Sequence, residues 1–311
     1  MAFLRTRTEP GWTALSPQGP VLRAVHVAPA APGGRPRVQW VWEGPWGETD
    51  EAQREALQAL RRQHSAPSQR VWVLERGQYQ IVPTDAPADV PESDWAQALR
   101  WQLKGQLEFS AEDATIDLLR IPQEAGSRRS TPLLAVLAPR NRLRPLVMAA
   151  ESASQAFRVI DIPETALRNW TVRAEASVRA RALLSFGSGQ GGLVITHEGQ
   201  LLSFRQIELA AELLEHTDLD RRQAALDRAA LEVQRTLDHF DRQFSHLSLG
   251  QLDVAPGPAS EALLMHLAVQ VATPVTALDP VERVDLSGVP ALQGTALAPW
   301  LLPIGAALRG G

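Results

Sequence analysis

The chain has 311 residues with 31 Lys+Arg against 35 Asp+Glu, a formal charge of −4 at pH 7. Charged residues at 21% and AVILMFWYC at 44% describe a folded chain and exclude an acidic disordered tail or a basic nucleic-acid coat. The absence of cysteine excludes disulfides, thiolate metal sites and cysteine nucleophiles, and the length predicts about two lobes.

Residues 1–12 lack the apolar run of a secretory signal, and nowhere do about 18 uncharged apolar residues follow one another, so a cytoplasmic protein is expected. Runs rich in Val and Trp at 21–27, 38–42 and 71–74 read as strands, interrupted by a Pro/Gly cluster at 29–36 and by a helix over about 48–63. In that helix Ala52, Ala56, Leu57 and Leu60 share a face behind a Thr49 or Asp50 cap. A Pro-rich link at 83–91 leads to a helix over 93–107, with Trp95, Ala98, Leu99 and Leu103 on one face and Trp101 off it. Strands at 115–121 and 133–138, a helix at 140–154, a strand at 157–162 and a helix from 164 to about 181 complete a mixed α/β first half.

The second half opens with three short strands joined by tight turns, at 182–186, 193–196 and 201–207. A long amphipathic helix follows over about 218–247, where Leu226, Ala230, Val233, Leu237, Phe240, Phe244 and Leu247 step by four and three. Its seam covers barely three heptads, which predicts packing against a sheet rather than a coiled coil. A strand at 252–255, a helix at 260–271, a strand at 275–278 and a helix from about 296 close the chain.

No motif nominates an enzyme. Phosphate-loop and nucleophile-elbow patterns are lacking. The densest His/Asp grouping, Asp238, His239, Asp241 and His246, is spread around the long helix, so no metal site is expected. The glycine cluster at 187–192 lies between two strands and is followed by no helix, which excludes a dinucleotide fingerprint. It reads either as a bare hairpin turn or as a backbone nest for an anion.

In order along the chain stand Gln97-Ala98-Leu99-Arg100-Trp101-Gln102 with Phe109-Ser110 and Glu112-Asp113, then Leu134-Ala135-Val136-Leu137-Ala138-Pro139-Arg140. Asp161-Ile162-Pro163-Glu164-Thr165-Ala166-Leu167-Arg168-Asn169, Leu231-Glu232-Val233-Gln234-Arg235-Thr236-Leu237-Asp238 and Leu302-Pro303-Ile304-Gly305-Ala306-Ala307-Leu308-Arg309 follow. This order resembles the PilM-like proteins of type IV pilus assembly, and among them the MshI proteins of mannose-sensitive haemagglutinin (MSHA) pilus systems. The resemblance covers most of the chain. It implies an actin-like, FtsA-like α/β fold of two lobes around a cleft, with a small α+β subdomain inserted in the first. On this reading the first lobe is 1–181 with the insertion at 91–154, and the second is 182–311.

Actin-like folds hold ATP and Mg²⁺ between the lobes with two phosphate loops, each with an acidic residue near its first strand, and a Gly-Gly turn under the adenosine. Matched residue by residue, Thr13 stands for the first acid and Ser185 for the second, with Gly187, Ser188 and Gly189 keeping the second turn. At the adenosine turn only Gly257 remains, between two prolines. A hydroxyl cannot replace a carboxylate that holds hydrated Mg²⁺, so no ATPase activity and little or no ATP binding are expected. The resemblance also implies a partner: the cytoplasmic tail of a bitopic inner-membrane protein of the PilN or MshJ type, extended in a groove between the first lobe and the inserted subdomain. Trp101, beside Arg100, is the candidate groove residue, the alternative being that it packs on a neighbouring strand. The expected role is that of an adaptor joining other pilus components and held at the inner membrane through its partner, without nucleic acid. The alternative is an actin-like phosphotransferase acting on a sugar or acid, which needs a carboxylate in the cleft. A tether of the FtsA kind needs a basic amphipathic terminal helix, and residues 300–311 carry one Arg and no polar face.

Overall fold

The computed structural model describes residues 9–66, 68–122, 131–172, 179–187, 191–257 and 259–309. The first half builds strands β1 (Trp12–Gln18), β2 (Val21–Ala28) and β3 (Arg37–Pro45), helix α1 (Asp50–Gln63), β4 (Gln69–Val73) and β5 (Gln80–Asp85). Helix α2 (Trp95–Gln102), β6 (Ala114–Arg120), β7 (Pro132–Pro139), α3 (Arg140–Ser152), β8 (Val159–Asp161) and α4 (Pro163–Thr171) follow. The second half holds β9 (Ala180–Phe186), β10 (Gly191–His197), β11 (Gln200–Ile207), α5 (Ala211–Leu214) and the long α6 (Leu219–Gln243). It ends with β12 (Leu249–Val254), α7 (Ser260–Gln270), β13 (Val275–Ala277), a 3-10 segment at Gly294–Trp300 and α8 (Leu301–Ala307).

Two five-stranded sheets share one plan. The first runs β3-β2-β1-β4-β8 and the second β11-β10-β9-β12-β13. In each, the first three strands form an antiparallel meander and the last two join parallel to the meander's first strand. Parallel neighbours need helical crossovers, supplied by α1 and α3 in the first half and by α6 and α7 in the second. By this internal match α3 is the counterpart of α7, and what the first half adds is a third sheet, β5-β7-β6, with α2 on one face.

That small sheet differs from the expected bounds of 91–154. Its edge strand β5 lies upstream of residue 91, running into what reads as a Pro-rich link, and pairs with β7 from Gln80↔Leu137 to Asp85↔Pro132. Pro83 is tolerated because an edge strand has a side on which no ladder donor is needed. The expected helix at 93–107 shortens to α2 with a 3-10 turn on either side.

Amphipathic patterns become packing as expected. Thr49 caps α1 by accepting from Ala52 N at 3.2 Å, acids stand in its first turn and arginines in its last, and Ala56, Leu57 and Leu60 are buried. On α6 the buried stripe Leu226, Ala230, Val233, Leu237 and Phe240 packs beside β11, α5 and α7, a sheet-covering helix and not a coiled coil. One continuous core runs from Ala14, Val25 and Val71 of the first sheet through Ala166 and Trp170 of α4 to Leu184 and Leu193 of the second and Ile304 of α8.

Candidate functional site

Helices α4 and α8 cross between the two sheets. Asn169 Nδ2 donates to the Gly305 carbonyl at 2.8 Å and Trp170 Nε1 to the Leu301 carbonyl at 2.7 Å. A Cβ on Gly305 would collide with the Ala166 carbonyl and the Trp170 ring, so only glycine allows this approach. At the start of α4, Asp161 accepts from Ile162 N, from Thr165 Oγ1 and, at 2.7 Å, from Arg309 Nη1. Two sequence motifs some 140 residues apart, at 161–169 and 302–309, are thus one structural unit.

A second buried carboxylate, Glu164, accepts from the Tyr79 hydroxyl at 2.6 Å and from Gln206 Nε2 at 3.0 Å. Burial, and then the neighbouring Glu164 charge, push the Tyr79 phenol well above its ordinary range, so it stays a donor. Burial likewise lowers Arg168, whose guanidinium is held against Asn169.

The β1–β2 turn, the 3-10 segment before α8, the turn after β12 and the end of β9 come together, where the actin-like fold places its cleft. Gln18 Nε2 donates to the Pro299 carbonyl at 2.7 Å, the Arg23 guanidinium lies 5.8 Å from the Trp300 ring centroid, and Gly19 N donates to Glu75 Oε1 at 3.0 Å. From the same first-half rim the Arg76 side chain lies over Gly192 of β10, where a Cβ would stand.

Of the residues singled out in the sequence, Gly187 and Gly257 come together: a Cβ on Gly257 would meet the carbonyl of Phe186, the neighbour of Gly187, at 2.9 Å. Ser185 is in β9 opposite Gly192. Ser188 and Gly189 lie outside the described residues. Thr13 is not beside its turn. It is buried as the second residue of β1, paired with His26, its Oγ1 2.9 Å from His26 Nδ1 and 2.6 Å from Ser68 Oγ. Side chains alternate across a strand, so Thr13 shares the face of Leu15, which packs with α1, while Ala14 joins the core with α4 and α8. On the face of Ala14, the β1 residues between Thr13 and the turn are Ser16 and Gln18, and neither is acidic. Sequence reasoning missed Glu75, Arg76 and the β1–β2 hairpin itself. Its signal was Gly19-Pro20 ahead of the apolar run at 21–27.

Arg100 and Trp101 sit on α2, outside the cleft. Leu99 and Leu103 are buried under the small sheet, whereas Trp101 is 49% exposed. A groove of about 580 Å³ lies between α1, α3 and the turn at Ala111–Asp113, lined by Arg54, Asp113, Arg140, Arg144, Pro145 and Met148 among others. Pro145 lacks an N–H, which leaves the Asn141 carbonyl without its helical partner where both residues border the groove. Among the described residues no His/Asp/Glu group could hold a metal ion, and no helix is long and apolar enough to cross a membrane.

No protein-family model and no curated protein matches the chain. Among solved structures, a chain of the PilM-PilN type IV pilus biogenesis complex is similar over 98% of this chain and 99% of its own, with TM-score 0.76 and 19% identity. The fold is actin-like. Its two matched sheets are the two actin-like halves, and the helices crossing at Gly305 lie between them. More distant likenesses are a Bacteroides thetaiotaomicron protein with actin-like ATPase fold (TM-score 0.49, 11% identity, 94% of this chain and 98% of that one) and the cytoplasmic domain of EpsL of the Vibrio cholerae type II secretion system (0.47, 14%, 96% and 97%).

Proposed function

We propose that this actin-like protein is a cytoplasmic adaptor of a type IV pilus machine, MSHA-type and MshI-like, or of a related secretion machine. It is held at the inner membrane by the cytoplasmic tail of a bitopic PilN- or MshJ-like protein, and its lobes divide near residue 181. The observation carrying this reading is the end-to-end likeness to a chain of the PilM-PilN complex. The groove between α1, α3 and the small subdomain supports it: Met148 is 56% exposed, Pro145 adds apolar wall, and Arg54, Arg140 and Arg144 face two aspartates, a mixture suited to an extended peptide.

The cleft residues do not fit a metal-bound triphosphate. The strand positions beside the two turns are Ser16, Gln18 and Ser185, the Gly19 N–H is already taken by Glu75, and Gln18 is tied to Pro299. Hydroxyls and an amide offer Mg²⁺ no anionic ligand, and the Glu75 carboxylate beside the first turn is already engaged by the Gly19 N–H, so this reading assigns the protein no turnover.

Calorimetric titration with the N-terminal cytoplasmic peptide of the bitopic protein encoded in the same pilus operon tests the assignment. Saturable binding, lost in Met148→Glu with the circular dichroism unchanged, is expected; no heat with any such peptide would overturn it. The Trp101→Ala variant, run alongside, reports whether the exposed face of Arg100 and Trp101 joins the contact.

A further inference from the structure

Strand β11 is the open edge of the second sheet: among the described residues it pairs only with β10. Every second residue of an edge strand points its N–H and C=O away from the sheet, a template for another strand unless something covers it. What faces residues 202–205 is a cavity of about 480 Å³. Pro83 and Leu134 of the small sheet wall it with Ile121, just past β6, and α6 closes it with Arg235, Thr236, His239 and Arg242. On β11 itself the lining is Leu202, Ser203, Phe204 and Arg205.

The charges in this trough are one-sided. No Asp or Glu lines it. Glu232, just behind, is shared between Arg205 at 2.7 Å and Arg235 at 3.1 Å, one carboxylate for two guanidinium groups. Arg242 has no ion-pair partner among the described residues. Two positive charges are therefore unbalanced on a chain whose formal charge is −4.

We propose that the trough along β11 is a second docking site, which takes an extended acidic segment of a protein partner by strand addition. Backbone pairing to β11 supplies affinity, alternate apolar side chains meet Leu202, Phe204 and Leu134, and carboxylates reach Arg205, Arg235 and Arg242. A nucleic acid fits less well, since the lining offers only the Phe204 and His239 rings for stacking and a free strand edge asks for a peptide backbone. The site is separate from the α1/α3 groove and stands whether or not that groove binds a tail.

Fluorescence anisotropy of the full chain with a labelled heptapeptide of alternating glutamate and valine tests the proposal, with a lysine/valine heptapeptide and a labelled oligothymidylate as comparisons. The acidic peptide is expected to bind at least about tenfold more tightly than either, and Arg242→Glu to weaken it about tenfold while leaving the thermal midpoint in place. N-methylation of alternate peptide nitrogens is expected to abolish binding in one register and spare it in the other, because only one peptide edge pairs. Equal binding of both heptapeptides, tighter binding of the oligonucleotide, no effect of Arg242→Glu or indifference to N-methylation in both registers would each overturn it.

Discussion

The Glu75 carboxylate accepts the backbone N–H of Gly19 at 3.0 Å, so the first turn of the cleft is already capped by an anion of the protein's own. In an actin-like fold such a turn is where a phosphate would approach. A γ-phosphate arriving here would meet like charge and find no carboxylate on β1 or β9 to hold its magnesium. Isothermal titration with Mg-ATP is expected to give no saturable heat at micromolar concentrations, and Glu75→Ala alone is expected not to create a site. Micromolar affinity in either protein would remove the premise.

Gly305 packs on the Ala166 carbonyl at the crossing of α4 and α8. A methyl there must push two buried helices apart, an overpacking penalty of about 1–3 kcal/mol. Gly305→Ala is expected to lower the urea midpoint by a corresponding amount at unchanged slope, and Gly305→Val to lower it further. A wild-type midpoint for the alanine variant would show that the crossing yields freely.

Asp253 on β12 is 2% exposed and accepts from Arg181 at 2.7 Å and Thr276 at 2.8 Å. Removing the cation leaves a buried carboxylate uncompensated, which costs about 3–5 kcal/mol. Arg181→Met should therefore destabilise more than the double variant Arg181→Met/Asp253→Leu. Double-mutant-cycle denaturation measures the order, and the reverse order would refute the account.

His26 is fully buried between Thr13 and the Pro10 carbonyl, and burial lowers its pKa below 6.5. A neutral ring with its proton on Nε2 donates to Pro10 and accepts from Thr13. Above pH 6.5 the ring is neutral in both folded and unfolded chains, and its contribution to stability is complete. As pH falls below 6.5 the unfolded chain binds the proton first, so stability declines until the folded value is passed. His64, stacked on Trp40 and also lowered chiefly by burial, adds to the same trend. Urea midpoints between pH 8 and pH 5 should fall, and His26→Asn should flatten that fall; an unchanged pH slope in the variant would count against His26.

Much of this architecture is written locally. The stripe of α6, the cap and face of α1 and the strands around residues 191–207 follow from periodicity and turn chemistry within a dozen residues, and each forms where the pattern places it. What the sequence could not decide is which residues meet. β1 carries serine and proline, and β5 a proline, where alternation should be clean, and they are strands because β2, β4 and β7 pair with them. Thr13 shares the face of Leu15, which packs with α1, because a strand's register sends alternate side chains to opposite faces. Glu75 reached the first turn, and Arg309 reached Asp161, only after the chain had closed loops of 56 and 148 residues. Spacing along a sequence fixes a helix face, whereas contacts at that range are set by the packing of whole sheets.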